Sequence, residues 1–179
     1  LIEMAGTSQL TSASVTGSTF QNNTSIGLQV ISGDSANILS FTASNNTFEG
    51  TGPNSQEIAM DFSKAQTSSM TVKVLNNIIR NHNSHGMNFF TAAGVGTTGT
   101  YNATIDGNTI GAIGVIDSGS KIGNGIRVNI NGDSLAKVKV SNNVIHQLPT
   151  GRGIEMIARN GTGMAHFTVT NNVVNAPTA

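Results

Sequence analysis

Cysteine and tryptophan are absent, tyrosine occurs once, proline three times, and only 10% of the 179 residues are charged. Without cysteine there can be no disulfide and no thiolate metal ligand, and redox compartment leaves no trace. Nine basic residues balance nine acidic ones. That balance argues against a nucleic-acid or anionic-membrane surface, which would need a basic stripe. No apolar run reaches the roughly 18 residues of a spanning helix, so no membrane insertion is expected. Gly-rich phosphate loops, nucleophile elbows, His-Glu-x-x-His motifs and calcium-binding nonapeptides are missing too. Helical periodicity is scarce, and the abundant Gly, Asn, Thr and Val all weaken a helix. An initiator Met and a signal peptide are lacking, and Leu1-Ile2-Glu3-Met4 reads as the middle of a repeat, so the chain is expected to be a piece of a longer protein.

What is present is a repeat. Val15-Thr16-Gly17-Ser18-Thr19-Phe20, Ala43-Ser44-Asn45-Asn46-Thr47-Phe48 and Val74-Leu75-Asn76-Asn77-Ile78-Ile79 are versions of one segment. Ile105-Asp106-Gly107-Asn108-Thr109-Ile110, Val140-Ser141-Asn142-Asn143-Val144-Ile145 and Val169-Thr170-Asn171-Asn172-Val173-Val174 continue it. The closing apolar residue recurs after about 28, 31, 31, 35 and 29 residues, the spacing of a solenoid. Asp117 to Asn124 is an insertion that accounts for the longest repeat.

Each repeat also carries a second apolar stretch, as in Gly27-Leu28-Gln29-Val30, Glu57-Ile58-Ala59-Met60, Gly86-Met87-Asn88-Phe89, Gly125-Ile126-Arg127-Val128 and Gly153-Ile154-Glu155-Met156. Apolar and polar residues alternate at period two, so these are strands with one buried face. Before each corner, Val72 and Val74, Val138 and Val140, and Phe167 and Val169 point in, while Lys73, Lys137, Lys139, His166 and Thr168 point out. Strands one repeat apart run parallel at about 4.8 Å, and their inward side chains stack in files. One expected file is Met4, Val30, Met60, Phe89, Val128 and Met156; another is Phe20, Phe48, Ile79, Ile110, Ile145 and Val174. Asn46, Asn77, Asn108, Asn143 and Asn172 share one corner, with Ser18 in the first coil, and their amides are expected to bond from coil to coil.

At the Asn corner, the x-Ile that follows it and the Gly-Ile-x-Val strand, the sequence resembles the right-handed parallel β-helix proteins of the pectate-lyase-like superfamily. The Asn-Asn-Thr-Phe style and the Ser/Thr/Gly-rich loops look most like β-helix segments of large bacterial surface and secreted proteins. The resemblance implies right-handed coiling, in line with the general hand of parallel crossovers. It also implies that any site would lie on outward residues of the Gly-Ile-x-Val sheet. The corresponding outward file reads Glu3, Gln29, Ala59, Asn88, Arg127 and Glu155. A lyase of this family would show clustered acidic calcium ligands and a catalytic Arg or Lys. Here the only adjacent charged pair is Arg127 and Glu155, which reads equally as an ion pair between neighbouring coils.

Other constellations are thin. Asp34 and Asp133 lie in Gly-Asp-Ser turns about 14 Å apart by coil spacing, too far for two-carboxylate hydrolysis. They read as turn residues. His82 and His85 share one turn without a third ligand from the adjacent coil, and read as solvated turn histidines. Ile31, Phe90 and Ile157 fall one place beyond the inward file and are expected to lie under loops. The outward file Ser14, Thr42, Lys73, Thr104, Lys139 and Thr168 is interrupted by lysines, which spoils a threonine array for ice.

Residues 1–179 are thus expected to form one all-β domain, a right-handed parallel β-helix of about five full coils plus partial end coils. The expected function is a non-enzymatic stalk or adhesin-type segment of an extracellular bacterial surface or secreted protein. No catalytic residue, metal or cofactor is assigned. Flanking repeats or further copies stacked end to end are the expected partners, since neither end carries a capping element. Gln29, Asn88, Arg127 and Glu155 are the candidates for contact with a polysaccharide or cell-surface glycan. The alternative is a carbohydrate-active β-helix enzyme, a polysaccharide lyase or glycoside hydrolase.

Overall fold

A computed structural model describes residues 1–50, 58–94 and 96–175. The described residues contain no helix; they wind into a parallel β-solenoid with three sheets. The first sheet stacks Ile2–Met4, Ile26–Ser32, Ile58–Lys64, Met87–Thr91, Ile126–Asn131 and Ile154–Arg159. The second stacks Gln9–Leu10 and Ala13–Thr16 on Asn37–Ser44, followed by Ser69–Leu75, Thr100–Asp106, Leu135–Ser141 and Ala165–Thr170. The third is narrow and holds Thr19–Gln21, Thr47–Glu49, Ile78–Arg80, Thr109–Ile110, Val144–Ile145 and Val173–Val174.

The corner between the second and third sheets explains the Asn pair. Its first residue sits in the left-handed region, at φ 55° in Asn45, Asn76, Asn142 and Asn171. Asn tolerates this conformation better than most residues, and Gly17 and Gly107 fill the same place in the other coils. The second residue forms the ladder. Asn46 Nδ2 donates to Asn77 Oδ1 at 3.0 Å, Asn77 to Asn108 and Asn108 to Asn143 at 2.9 Å, and Asn143 to Asn172 at 2.8 Å. Each Oδ1 also accepts the backbone N–H of the preceding corner, beginning with Ser18 N–H on Asn46. Each Nδ2 also reaches a carbonyl of the preceding coil, from Val15 under Asn46 to Val140 under Asn172. Thus the amide satisfies its buried surroundings at both atoms.

The core is the stack of inward files. Phe20 and Phe48 lie face to face at 4.6 Å, followed in register by Ile79, Ile110, Ile145 and Val174. In the first sheet the stack differs from the sequence expectation. Val30 pairs with Ile2 below and Phe62 above, then come Phe89, Val128 and Met156. Met60 instead joins Leu28, Met87, Ile126 and Ile154, and Met4 lies opposite Ser32. The slip is by two residues, which keeps every side chain on its face and changes only its row. Tyr101, fully buried, donates its hydroxyl to the Phe62 carbonyl at 2.8 Å.

Lys64 falls on the inward face by alternation, two residues after Phe62 and four after Met60. Its side chain is 1% exposed and its Nζ donates to the Thr98 carbonyl at 2.5 Å. Among the described residues no carboxylate pairs with it. Burial without a counter-charge pulls its pKa down from 10.5 to about 8.

Two outcomes follow from this packing. Asn143→Ala strips partners from buried corner groups and should lower unfolding free energy by about 1–3 kcal/mol. Lys139→Ala, outward on the preceding strand, should change it by under about 0.5 kcal/mol. Equal denaturation curves for the two variants would remove the ladder from the account of stability. For Lys64, the folded state binds fewer protons than the unfolded one between the two pKa values, so stability should rise with pH from about 8 towards 10. Above about 10 the buried Tyr101 hydroxyl, its pKa pushed up by burial, acts in the opposite direction. Urea titrations at stepped pH should show the rise, on the order of 2 kcal/mol, and Lys64→Met should abolish it.

Candidate functional site

The outward row of the first sheet gathers four sequence candidates, Gln29, Asn88, Arg127 and Glu155, on four of five successive rungs. The missing rung is Asp61, not Ala59, and Glu3 belongs to a different row, opposite Ile31. Both corrections come from the two-residue slip. Ala59 is fully buried at the start of its strand, where its N–H bonds the His85 carbonyl at 3.2 Å.

Asp61 brings a carboxylate into the row. Oδ1 accepts from Asn88 Nδ2 at 2.7 Å, and Oδ2 accepts from Gln29 Nε2 at 3.2 Å and Ser63 Oγ at 3.4 Å. At the other end, Glu155 meets Arg127 Nε at 3.4 Å, an Arg152 guanidinium nitrogen at 2.7 Å and Asn124 Nδ2 at 2.8 Å. The expected inter-coil ion pair is therefore present and shared with a second arginine. Both carboxylates are already occupied by donors. They sit three coils apart, roughly 14 Å by the strand spacing. Two-carboxylate glycoside hydrolysis needs about 5–10 Å, so this pair cannot perform it.

His85 lies between these ends. Its Nδ1 accepts the Asn124 N–H at 3.0 Å, which leaves the proton of the neutral ring on Nε2. Its pKa is lowered, mainly by burial and then by the Arg127 charge, against opposing pulls from Glu155 and Asp61. At neutral pH the ring is therefore uncharged, beside a guanidinium. This combination offers one neutral imidazole and one cation on a face otherwise closed by internal hydrogen bonds.

His82 behaves differently from a solvated turn residue: it is 1% exposed. The inserted segment explains this, because Ser120 bridges to His82 and Lys121 N–H bonds its carbonyl at 2.8 Å. The insertion closes over the turn. Among the described residues no group of three His, Asp or Glu side chains is placed to hold a metal ion. Asp34 and Asp133 each accept backbone N–H groups of a neighbouring coil, from Gly6 at 2.9 Å and Thr162 at 2.6 Å. Both are turn staples. Ile31, Phe90 and Ile157 lie half-buried in the row beside the polar one, interleaved with Ser63 and Asn129.

Sequence reasoning left Asp61 out of this row and read His85 as a solvated turn histidine, whereas its ring is half-buried and accepts the Asn124 N–H. The signal for Asp61 was present: Met60-Asp61-Phe62 repeats as Met87-Asn88-Phe89, and that pairing is the one the fold adopts. Nothing local in the sequence brings His85 to Arg127, which lies in the next coil.

Comparison of the chain with protein-family models, with curated proteins and with solved structures finds no match in any of the three, so the β-solenoid assignment rests on its own architecture.

Proposed function

We propose that this chain is a non-enzymatic structural segment, a stiff stack of pectate-lyase-like coils in an extracellular bacterial surface or secreted protein. The observation that carries this reading is the unbroken Asn file, which staples every corner from Ser18 to Asn172. Bonding of this kind resists shear between coils at each step, as a load-bearing stalk or adhesin rod requires. Val169 and Val174 extend inward files of the second and third sheets yet are 49% and 52% exposed. A flanking coil or a second copy stacked on this rung would cover both.

Sedimentation across a concentration series tests this reading. Reversible or fibrous association is expected, and Val169→Lys with Val174→Lys should suppress it. A monomer up to high concentration would argue against end-to-end stacking.

One observation favours a second reading, a polysaccharide lyase: Asp61, His85, Arg127 and Glu155 gather on one outer face. A neutral imidazole beside an arginine suits proton abstraction next to a uronate carboxylate. Incubation with polygalacturonate and alginate, with calcium, is expected to release no unsaturated or reducing ends. Turnover that vanished in Arg127→Ala would replace the structural reading with the enzymatic one.

A further inference from the structure

The outer face of the second sheet has a different composition from that of the first. Three of its lysines, Lys73, Lys137 and Lys139, are exposed, and among the described residues none forms an ion pair. The one carboxylate along this face is Asp106, at the corner end of its strand, where Ser141 Oγ (2.5 Å) and Asn142 Nδ2 (2.8 Å) donate to it. A chain of zero net charge thus keeps a face of net positive charge on one side, three lysines against one carboxylate, Asp106, which interacts with Lys139.

Register arranges this patch in three rows. Leu135 stands beside Thr100 in the row nearest the loop. Next come Asn102, Lys137 and His166, then Lys73, Thr104, Lys139 and Thr168. A groove of about 680 Å³ runs over the first two rows, floored by Leu135, Ala136, Met164 and Ala165. Leu135 is 49% exposed and Met164 70%. A smaller depression of about 220 Å³ continues it over the lysines, sharing Asn102, Lys137 and His166.

Along one strand the outward order is therefore Leu135, Lys137, Lys139, an apolar contact followed by two cations at intervals of about 7 Å. An extended peptide has the same period on one of its faces. We propose that this face docks an extended acidic segment of a partner protein, with an apolar residue followed at alternate positions by two carboxylates. The apolar side chain fills the groove over Leu135 and Met164. The carboxylates meet Lys137 and Lys139, with Lys73 adding charge from two coils away. Asn102 and Thr104 supply hydrogen-bonding groups for the peptide backbone between them. The aliphatic floor selects this class of ligand. Single-stranded nucleic acid takes its affinity from aromatic stacking as well as charge, and the only tyrosine, Tyr101, is buried.

The test is NMR titration of the intact chain with the synthetic peptide Ser-Leu-Ser-Glu-Ser-Glu-Ser and its reversed sequence, at low salt. Amide shifts confined to residues 100–104, 135–139 and 164–168 are expected for at least one of them. Lys137→Glu and Lys139→Glu should each weaken that binding by about tenfold. Replacing the probe's Leu with Ser, or Leu135→Ser in the protein, should weaken it similarly while leaving the salt dependence in place. Three results would overturn the proposal: no peptide-induced shifts, shifts indifferent to the lysine reversals, or a polyuronate or anionic vesicle perturbing these amides where the peptides do not.

Discussion

Everything in this molecule depends on one inter-coil contact, repeated. No coil has an apolar face that closes on itself; Val30, Phe62, Phe89 and Val128 become a core only because each is covered by the next. The covering needs the coils to bend at the same place. The Asn corner ensures that, because Asn46, Asn77, Asn108 and Asn143 bond to the coils on both sides, and Asn172 closes the file on Asn143 and Val140. A corner displaced by one residue would leave a buried amide with neither its carbonyl nor its N–H partner. The ladder therefore sets where turns occur as well as holding them.

Stacking at fixed spacing also decides what the surfaces can do. Outward side chains one repeat apart are brought within hydrogen-bonding reach. On the first sheet this consumes the functional groups: Asp61 with Gln29 and Asn88, Glu155 with Arg127 and Asn124. On the second sheet like charges share the face, and Lys73 and Lys139 in one file are separated by the neutral Thr104. The same geometry thus yields one internally neutralised face and one with charge available to a partner. The insertion before Gly125 adds a third effect, burying His82, which would otherwise lie at the surface of its turn.

Much of this was legible in the sequence. The period, the corner and the Phe20-to-Val174 file all follow from residues whose chemistry is local to a turn. The second-sheet row Ser14, Thr42, Lys73, Thr104, Lys139 and Thr168 was also readable, because it is counted backwards from the corner over a short, regular strand. The first sheet was harder. Its strands are separated from the corner by turns of variable length, with no residue as distinctive as Asn to mark the rung. Ala59 was therefore placed where Asp61 stands, and Met60 where Phe62 stands.

The division has a physical basis. Alternation at period two tells which side of a strand is buried, and the sequence by itself determined that throughout. Alternation is blind to a slip of two residues, which leaves both faces unchanged. Only the stacked structure chose among such registers, by the fit of aromatic rings such as Phe62 on Phe89 at 5.1 Å and by the backbone pairing of whole strands. The same choice carried Asp61 into the polar row and set Phe62 between Val30 and Phe89. Those placements depend on contacts between coils about 30 residues apart, and no local pattern encodes them.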